Sequence, residues 1–256
     1  MSEMIFLGTG ALDWNLAMKN EGFFRRNSSC LIDKKLLIDP GAHIFSFIED
    51  FNVPDLFDEL TDIIVTHFHS DHINKESVLR LAENRKLRVG CDKRTMEHIG
   101  EHPNITYTLF KPYIEYNVGD MIVTPLLANH DIVADGENFA FNYYIETKDG
   151  KSIFYGLDSA WILRPTWEYL KKKKFDAFVF DCTVGDKDDW RLFEHNTIPM
   201  IRKMVEEINA KELMKDGGKL IASHMARTLH KSHEDTAEIL EKINMITAFD
   251  GMKVLL

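Results

Sequence analysis

The chain lacks any run of 18 or more apolar residues, which excludes a membrane-spanning helix. It is poor in cysteine. Cys30, Cys91 and Cys182 are odd in number and widely spaced, with no Cys-x-x-Cys pair. That excludes a disulfide framework or a thiolate zinc site and leaves three small buried hydrophobes suited to a reducing cytosol. Positive charge is also short: 31 Lys and Arg face 41 Asp and Glu, a formal net charge of −10. This argues against a broad nucleic-acid or anionic-membrane surface, while a local basic patch beside an anionic substrate remains compatible. No linker, repeat or low-complexity stretch divides the chain, and strand-like Met4-Ile5-Phe6-Leu7 stands where a signal peptide would. We therefore expect one cytoplasmic domain over residues 1–256, with a homodimer left open.

What the chain does have is histidine, eleven in all. Three fall in Thr66-His67-Phe68-His69-Ser70-Asp71-His72, directly after the apolar run Ile63-Ile64-Val65. Imidazole nitrogens and carboxylate oxygens are the atoms Zn²⁺, Mn²⁺ and Fe²⁺ prefer. At the end of a strand, His67 and His69 can share one metal, and Asp71 and His72 can reach a second.

Other acids and histidines also close apolar runs: Asn129-His130-Asp131, Gly156-Leu157-Asp158-Ser159, Phe180-Asp181-Cys182-Thr183 and Ser223-His224. Strand-like and helix-like stretches alternate throughout. Strands are expected at Met4–Leu7, Ser29–Asp33, Lys35–Ile38, Ile63–Val65, Leu87–Gly90 and Ile105–Phe110. Further ones are expected at Ile114–Asn117, Met121–Ala128, Phe139–Thr147, Ser152–Leu157, Ala177–Phe180 and Leu220–Ser223. Asn74, Asp92 and Ser232 read as helix caps, and Pro165 as a helix start. In such sheet-based α/β chains functional loops gather where strand ends meet. Gly8-Thr9-Gly10 is not a dinucleotide fingerprint, because the third glycine and the following helix are missing. Residues 11–27, rich in aromatics and carrying Arg25 and Arg26, read as a surface loop or a lid, with an arginine available to orient a phosphate.

Taken together, the Gly-Thr-Gly start, Leu37-Ile38-Asp39-Pro40-Gly41, Thr66–His72, His130, Gly156-Leu157-Asp158-Ser159 and Ser223-His224 resemble the metallo-β-lactamase superfamily, whose hallmark is His-x-His-x-Asp-His. Ala248-Phe249-Asp250-Gly251-Met252 looks like the PhnP-type cyclic phosphodiesterases and their RNase Z relatives. The resemblance implies an α/β (α+β) fold, a four-layer αβ/βα sandwich of two mixed β-sheets flanked by helices. It implies two divalent metals (zinc, manganese or iron): His67, His69 and His130 on the first, Asp71, His72 and His224 on the second, and Asp158 bridging. Asp39 would sit behind a ligand imidazole. In the resembling groups a histidine where His195 stands is associated with protonating the leaving oxygen, and Asp71 is a candidate proton carrier.

Two departures point away from tRNA processing. Phe180-Asp181-Cys182-Thr183 replaces the His-Glu-Ala-Thr pattern of RNase Z, and the long Gly/Pro-rich arm is missing. The PhnP-type cysteine zinc cluster is missing too. His43, His98, His102, His230 and His233 are assigned surface roles.

The leading expectation is a dinuclear metal-dependent phosphodiesterase on a small or cyclic anionic phosphodiester, with a hydroxide shared by the metals as nucleophile. The alternatives are hydrolysis of a carboxylic ester, lactone or thioester, and a non-catalytic metal- or nucleic-acid-binding module.

Overall fold

A computed structural model of the chain describes residues 1–20, 22–131 and 138–256. Residue 21 of the aromatic-rich stretch 11–27 lies outside the described residues.

The first half builds one sheet from β1 (Glu3–Gly8), β2 (Ser29–Ile32), β3 (Leu36–Ile38), β4 (Asp62–Ile64), β5 (Leu87–Cys91) and β6 (Ile105–Leu109). The second half builds another from β7 (Tyr116–Val118), β8 (Met121–Leu127), β9 (Phe141–Glu146), β10 (Ser152–Gly156), β11 (Phe175–Asp181), β12 (Met214–Ser223) and β13 (Met245–Thr247). The last strand, β14 (Lys253–Leu255), crosses back to pair antiparallel with β1. The spatial orders are β14-β1-β2-β3-β4-β5-β6 and β13-β12-β11-β10-β9-β8-β7. Both sheets are mixed: pairing is antiparallel from β14 to β3 and from β7 to β10, and parallel from β3 to β6 and from β10 to β13.

The layers follow from side-chain alternation. In β1, Met4 and Phe6 join the core between the sheets, where Ile38, Ile64, Tyr143, Tyr155 and Val179 meet them. Ile5 and Leu7 face the other way, with Ile44 and Phe47 of α1 (Ile44–Phe51), Val78 and Leu81 of α2 (Lys75–Ala82) and Ile99 of α3 (Lys93–Ile99). In β10 and β11, Ile153, Tyr155, Ala177 and Val179 point inward. Phe154, Phe178 and Phe180 point outward to Leu170 of α4 (Arg164–Leu170), Ile201 and Ile208 of α5 (Ile198–Ala210), and Leu240 of α6 (His233–Glu241). Helix, sheet, sheet, helix: the expected αβ/βα sandwich is observed.

Local signals behave as read. Asn74, Asp92 and Ser232 each cap a helix through their side chains, as does Thr197, which the sequence did not single out, and α3 ends at Gly100, whose φ of 81° suits glycine. Several strand boundaries differ, β11 among them, which begins at Phe175, not Ala177. β7 begins at Tyr116, not Ile114, and β9 at Phe141, not Phe139. β12 begins at Met214, not Leu220, because Met214 pairs with Phe175 across an irregularity that absorbs Gly217 and Gly218. Among the described residues no helix is long and apolar enough to cross a membrane.

Candidate metal centre

The carboxyl ends of β3, β4, β8, β10, β11 and β12 open at one edge of the sandwich. The residues just past them are Asp39, Thr66–His72, His130, Asp158, Asp181 itself, and His224. Asp39, Asp158 and His224 have φ of 58°, 45° and 58°. Left-handed backbone is costly for a residue with a side chain, so each strand end is held in a turn that aims its side chain sideways. The two sheets are stitched here by Phe141 N–H donating to Thr66 O (2.8 Å) and Met225 N–H to Thr9 O (2.9 Å).

All seven sequence-predicted ligands converge. His72 Nε2 lies 3.2 Å from His224 Nε2 and 3.6 Å from Asp71 Oδ2, and His224 Nε2 lies 3.4 Å from Asp71 Oδ2. These separations match the edges of a tetrahedron around one cation, about 3.3–3.5 Å for ligands at roughly 2.0–2.2 Å. Beside it, His67, His69 and His130 form a second set, with His130 Nε2 at 3.1 Å from His69 Nδ1. Asp158 stands between the two. Its Oδ2 is 3.0 Å from His224 Nε2, and its Oδ1 is 4.0 Å from His130 Nε2.

A test of fit comes from the protons. His72 Nδ1 is 2.8 Å from Asp39 Oδ2, so its N–H is assigned there. Its Nε2 then presents a lone pair, 2.7 Å from the lone pairs of Asp158 Oδ2. Asp158 Oδ2 has no hydrogen-bond donor, nor does buried His67 Nε2. Buried acceptors facing one another at this range need a positive charge among them. Without a metal a proton serves: burial alone would depress His72, but the charges of Asp158, Asp71 and Asp39 hold it well above its ordinary value. Burial drives His67 well below, reinforced by His72. The donor set fits two divalent cations.

The outer contacts fix the rings. Thr66 Oγ1 is 3.1 Å from His67 Nδ1, and Asp39 accepts from the Thr66 N–H at 2.7 Å and from its hydroxyl at 2.8 Å. Asp39 is thus the orienting carboxylate that the sequence suggested. On the other sheet Thr183 Oγ1 is 2.7 Å from His224 Nδ1 and donates to Asp181 Oδ2 at 2.9 Å. Asp131, paired with Arg94, lies 3.9 Å from His69 Nε2.

His195 also belongs here. Its Nδ1 is 2.9 Å from Asp181 Oδ2 and 3.7 Å from Asp158 Oδ1. Burial lowers its proton affinity, but the charge and hydrogen bond of fully buried Asp181 reverse this and raise its pKa to about 9. A cavity of about 450 Å³ opens over the cluster, lined by His69, Asp71, His130, Asp158, His195 and His224 and by Leu12, Trp190, Arg191 and Glu194.

Two sequence expectations are corrected. Arg25 and Arg26 do not line this cavity; they are 3% and 5% exposed. Arg25 donates to Thr9 Oγ1 and Ala248 O, both at 2.6 Å, and Arg26 pairs with Asp250 and Asp50. The Arg25 guanidinium lies over Phe23 and that of Arg26 over Phe24, Phe47 and Phe51, with Asp250 offsetting their charge. Nor are all the remaining histidines surface residues. His43 is buried and accepts from the Asn27 N–H, His230 Nε2 is 2.6 Å from Cys182 O, and His233 stacks on Phe23 at 4.6 Å between ring centroids. Asp181, which the sequence shows closing an apolar run without a role, orients His195 and, through Thr183, His224.

Residues 34–247 match the family model described as the β-lactamase superfamily domain. The chain belongs to the metallo-β-lactamase superfamily. By class it is a metal-dependent hydrolase, with the His/Asp cluster as candidate metal site. Similar solved structures include the metallo-β-lactamase-fold protein YhfI from Bacillus subtilis (TM-score 0.75, 16% identity, covering 100% of each chain). Zn²⁺-bound PqqB from Methylobacterium extorquens gives TM-score 0.75 and 16% identity, covering 99% of this chain and 100% of that one. Unliganded yeast PDE1 gives TM-score 0.69 and 12% identity, covering 100% and 99%. At these identities the likeness concerns the fold. Among curated proteins nothing matches the chain.

Proposed function

We propose that the chain is a dinuclear metal-dependent phosphodiesterase acting on a small or cyclic phosphodiester. The observation that carries this reading is the placement of the Asp181–His195 pair, 3.7 Å from the carboxylate that stands between the two ligand sets. His67, His69 and His130 would hold one cation, Asp71, His72 and His224 the other, with Asp158 shared. When bound, the pair would supply Lewis acidity that activates water and stabilises charge on the phosphoryl oxygens.

The protein's own residues do the rest. Asp39, Thr66 and Thr183 fix the orientations of the rings that would hold the cations. Asp181 holds His195 Nδ1 and keeps the imidazole protonated, leaving Nε2 free to donate to the departing alkoxide. Asp71, buried and acceptor-only when ionised, would take a proton from the attacking water. Cavity size supports a small substrate: about 450 Å³ suits one compact ligand.

The test is His195→Ala on phosphodiesters that differ in leaving group. A loss of 10²-fold or more is expected for alkyl leaving groups, and a much smaller loss for p-nitrophenyl, which departs unprotonated. Equal losses, or turnover of carboxylic esters alone, would contradict the reading.

A further inference from the structure

The cavity over the His/Asp cluster has a polar lining and an apolar one. The apolar side is Trp190 and Leu12, with Ala11 and Ala226. Trp190 is 69% exposed and Leu12 is 63% exposed, unusual for large apolar side chains on the wall of a pocket.

The backbone that carries the indole is nonetheless fixed. Trp190 opens a short 3₁₀ turn, Trp190–Phe193, capped by the Asp189 carboxylate, which accepts from the Arg191 N–H at 3.0 Å. The Arg191 carbonyl in turn accepts from the His195 N–H at 2.8 Å. Indole and imidazole therefore ride on one short segment, and Trp190 stands on the His195 side of the cavity.

We propose that Trp190 and Leu12 form a subsite for a planar aromatic ring carried by the leaving group of the substrate. The assignment to the leaving side rests on the phosphodiesterase reading, because His195 is there the donor to the leaving oxygen. The ring itself is argued from the wall. An uncovered indole on a fixed turn gains from a second aromatic ring by offset stacking beyond mere contact, which an alkyl chain does not provide. Leu12 supplies the second apolar surface. The volume of about 450 Å³ leaves room for one ring and one phosphodiester.

The test uses metal-loaded wild type, Trp190→Ala and Trp190→Phe with benzyl methyl phosphate and allyl methyl phosphate, whose leaving alcohols are of near-equal acidity. The benzyl-over-allyl ratio of kcat/KM is expected to fall roughly tenfold in Trp190→Ala, mainly through KM, and to be largely kept in Trp190→Phe. Calorimetric binding of monomethyl 2-phenylethylphosphonate and monomethyl but-3-enylphosphonate, in which carbon replaces the leaving oxygen, gives a readout apart from turnover, with the same tenfold preference expected in wild type and lost in Trp190→Ala. No turnover of either phosphate, with the calorimetric preference intact, would overturn the phosphodiesterase reading and leave the ring subsite standing. Equal affinity for the two phosphonates in wild type, or an unchanged ratio in Trp190→Ala, would overturn the subsite.

Discussion

Asp158 Oδ2 and His72 Nε2 face each other across 2.7 Å with both lone pairs turned inward, because the His72 proton is committed to Asp39. This one contact links the two sheets, since Asp158 follows β10 and His72 follows β4. It makes sense only with a positive charge in the gap.

Replacing Asp158 by Asn should therefore cost metal, not fold. Asparagine tolerates the φ of 45° at this position, so the turn survives. Elemental analysis should show two metals per chain in wild type and at most one in Asp158→Asn, with far-UV circular dichroism unchanged. Two metals in the variant would remove Asp158 as the shared ligand.

Asp181 offers a cleaner separation of roles. Asp181→Asn keeps the shape but removes the charge that holds His195 protonated and that backs Thr183. We expect kcat on alkyl phosphodiesters to fall roughly 10–100-fold, with metal content within error of wild type. Loss of both metals would instead make Asp181 part of the ligand set.

The corrected role of Arg26 is one of stability. Arg26 and Asp250 are nearly buried and joined at 3.2 Å. Arg26→Ala leaves Asp250 charged and under-compensated, and denaturant titration should show a loss of about 3–5 kcal/mol. At a temperature where the variant is folded, KM for a phosphodiester should match wild type. A raised KM would return Arg26 to substrate binding.

His43 predicts an acid-side loss of stability. Burial first, and the nearby Arg26 charge second, lower its pKa from 6.5 to about 4. Between those values the unfolded chain binds the proton and the folded chain does not. The contribution is complete above pH 6.5 and is lost as pH falls through 4. The magnitude is of order 2–3 kcal/mol. In chelated protein, His43→Gln, which keeps an acceptor for the Asn27 N–H, should show a flatter stability curve between pH 6.5 and 4. An identical slope would show that His43 titrates normally.

Much of this was legible in the sequence, for physical reasons that differ by residue. Thr66–His72 is local: four donor-type side chains on one short loop cannot be far apart. His130, Asp158 and His224 were legible because a strand end is a fixed place, and β8, β10 and β12 all finish at one edge. Arg25 and Arg26 were not, because what buries them is Ala248 and Asp250, more than 200 residues away. The start of β12 was hidden because Gly217-Gly218, residues poor in strand preference, lie within a strand paired to β11. Trp190 carried no pattern at all; only the folded turn shows that its indole shares a segment with His195.

Two metals on these residues are proposed to hydrolyse a phosphodiester. The most direct measurement is titration of chelated protein with Zn²⁺ or Mn²⁺ while following hydrolysis of bis(p-nitrophenyl) phosphate and a 2′,3′-cyclic nucleotide. Activity absent from the apo-protein and rising to a plateau at two equivalents of metal is the predicted result. No metal-dependent turnover of either substrate, or a plateau at one equivalent, would contradict it.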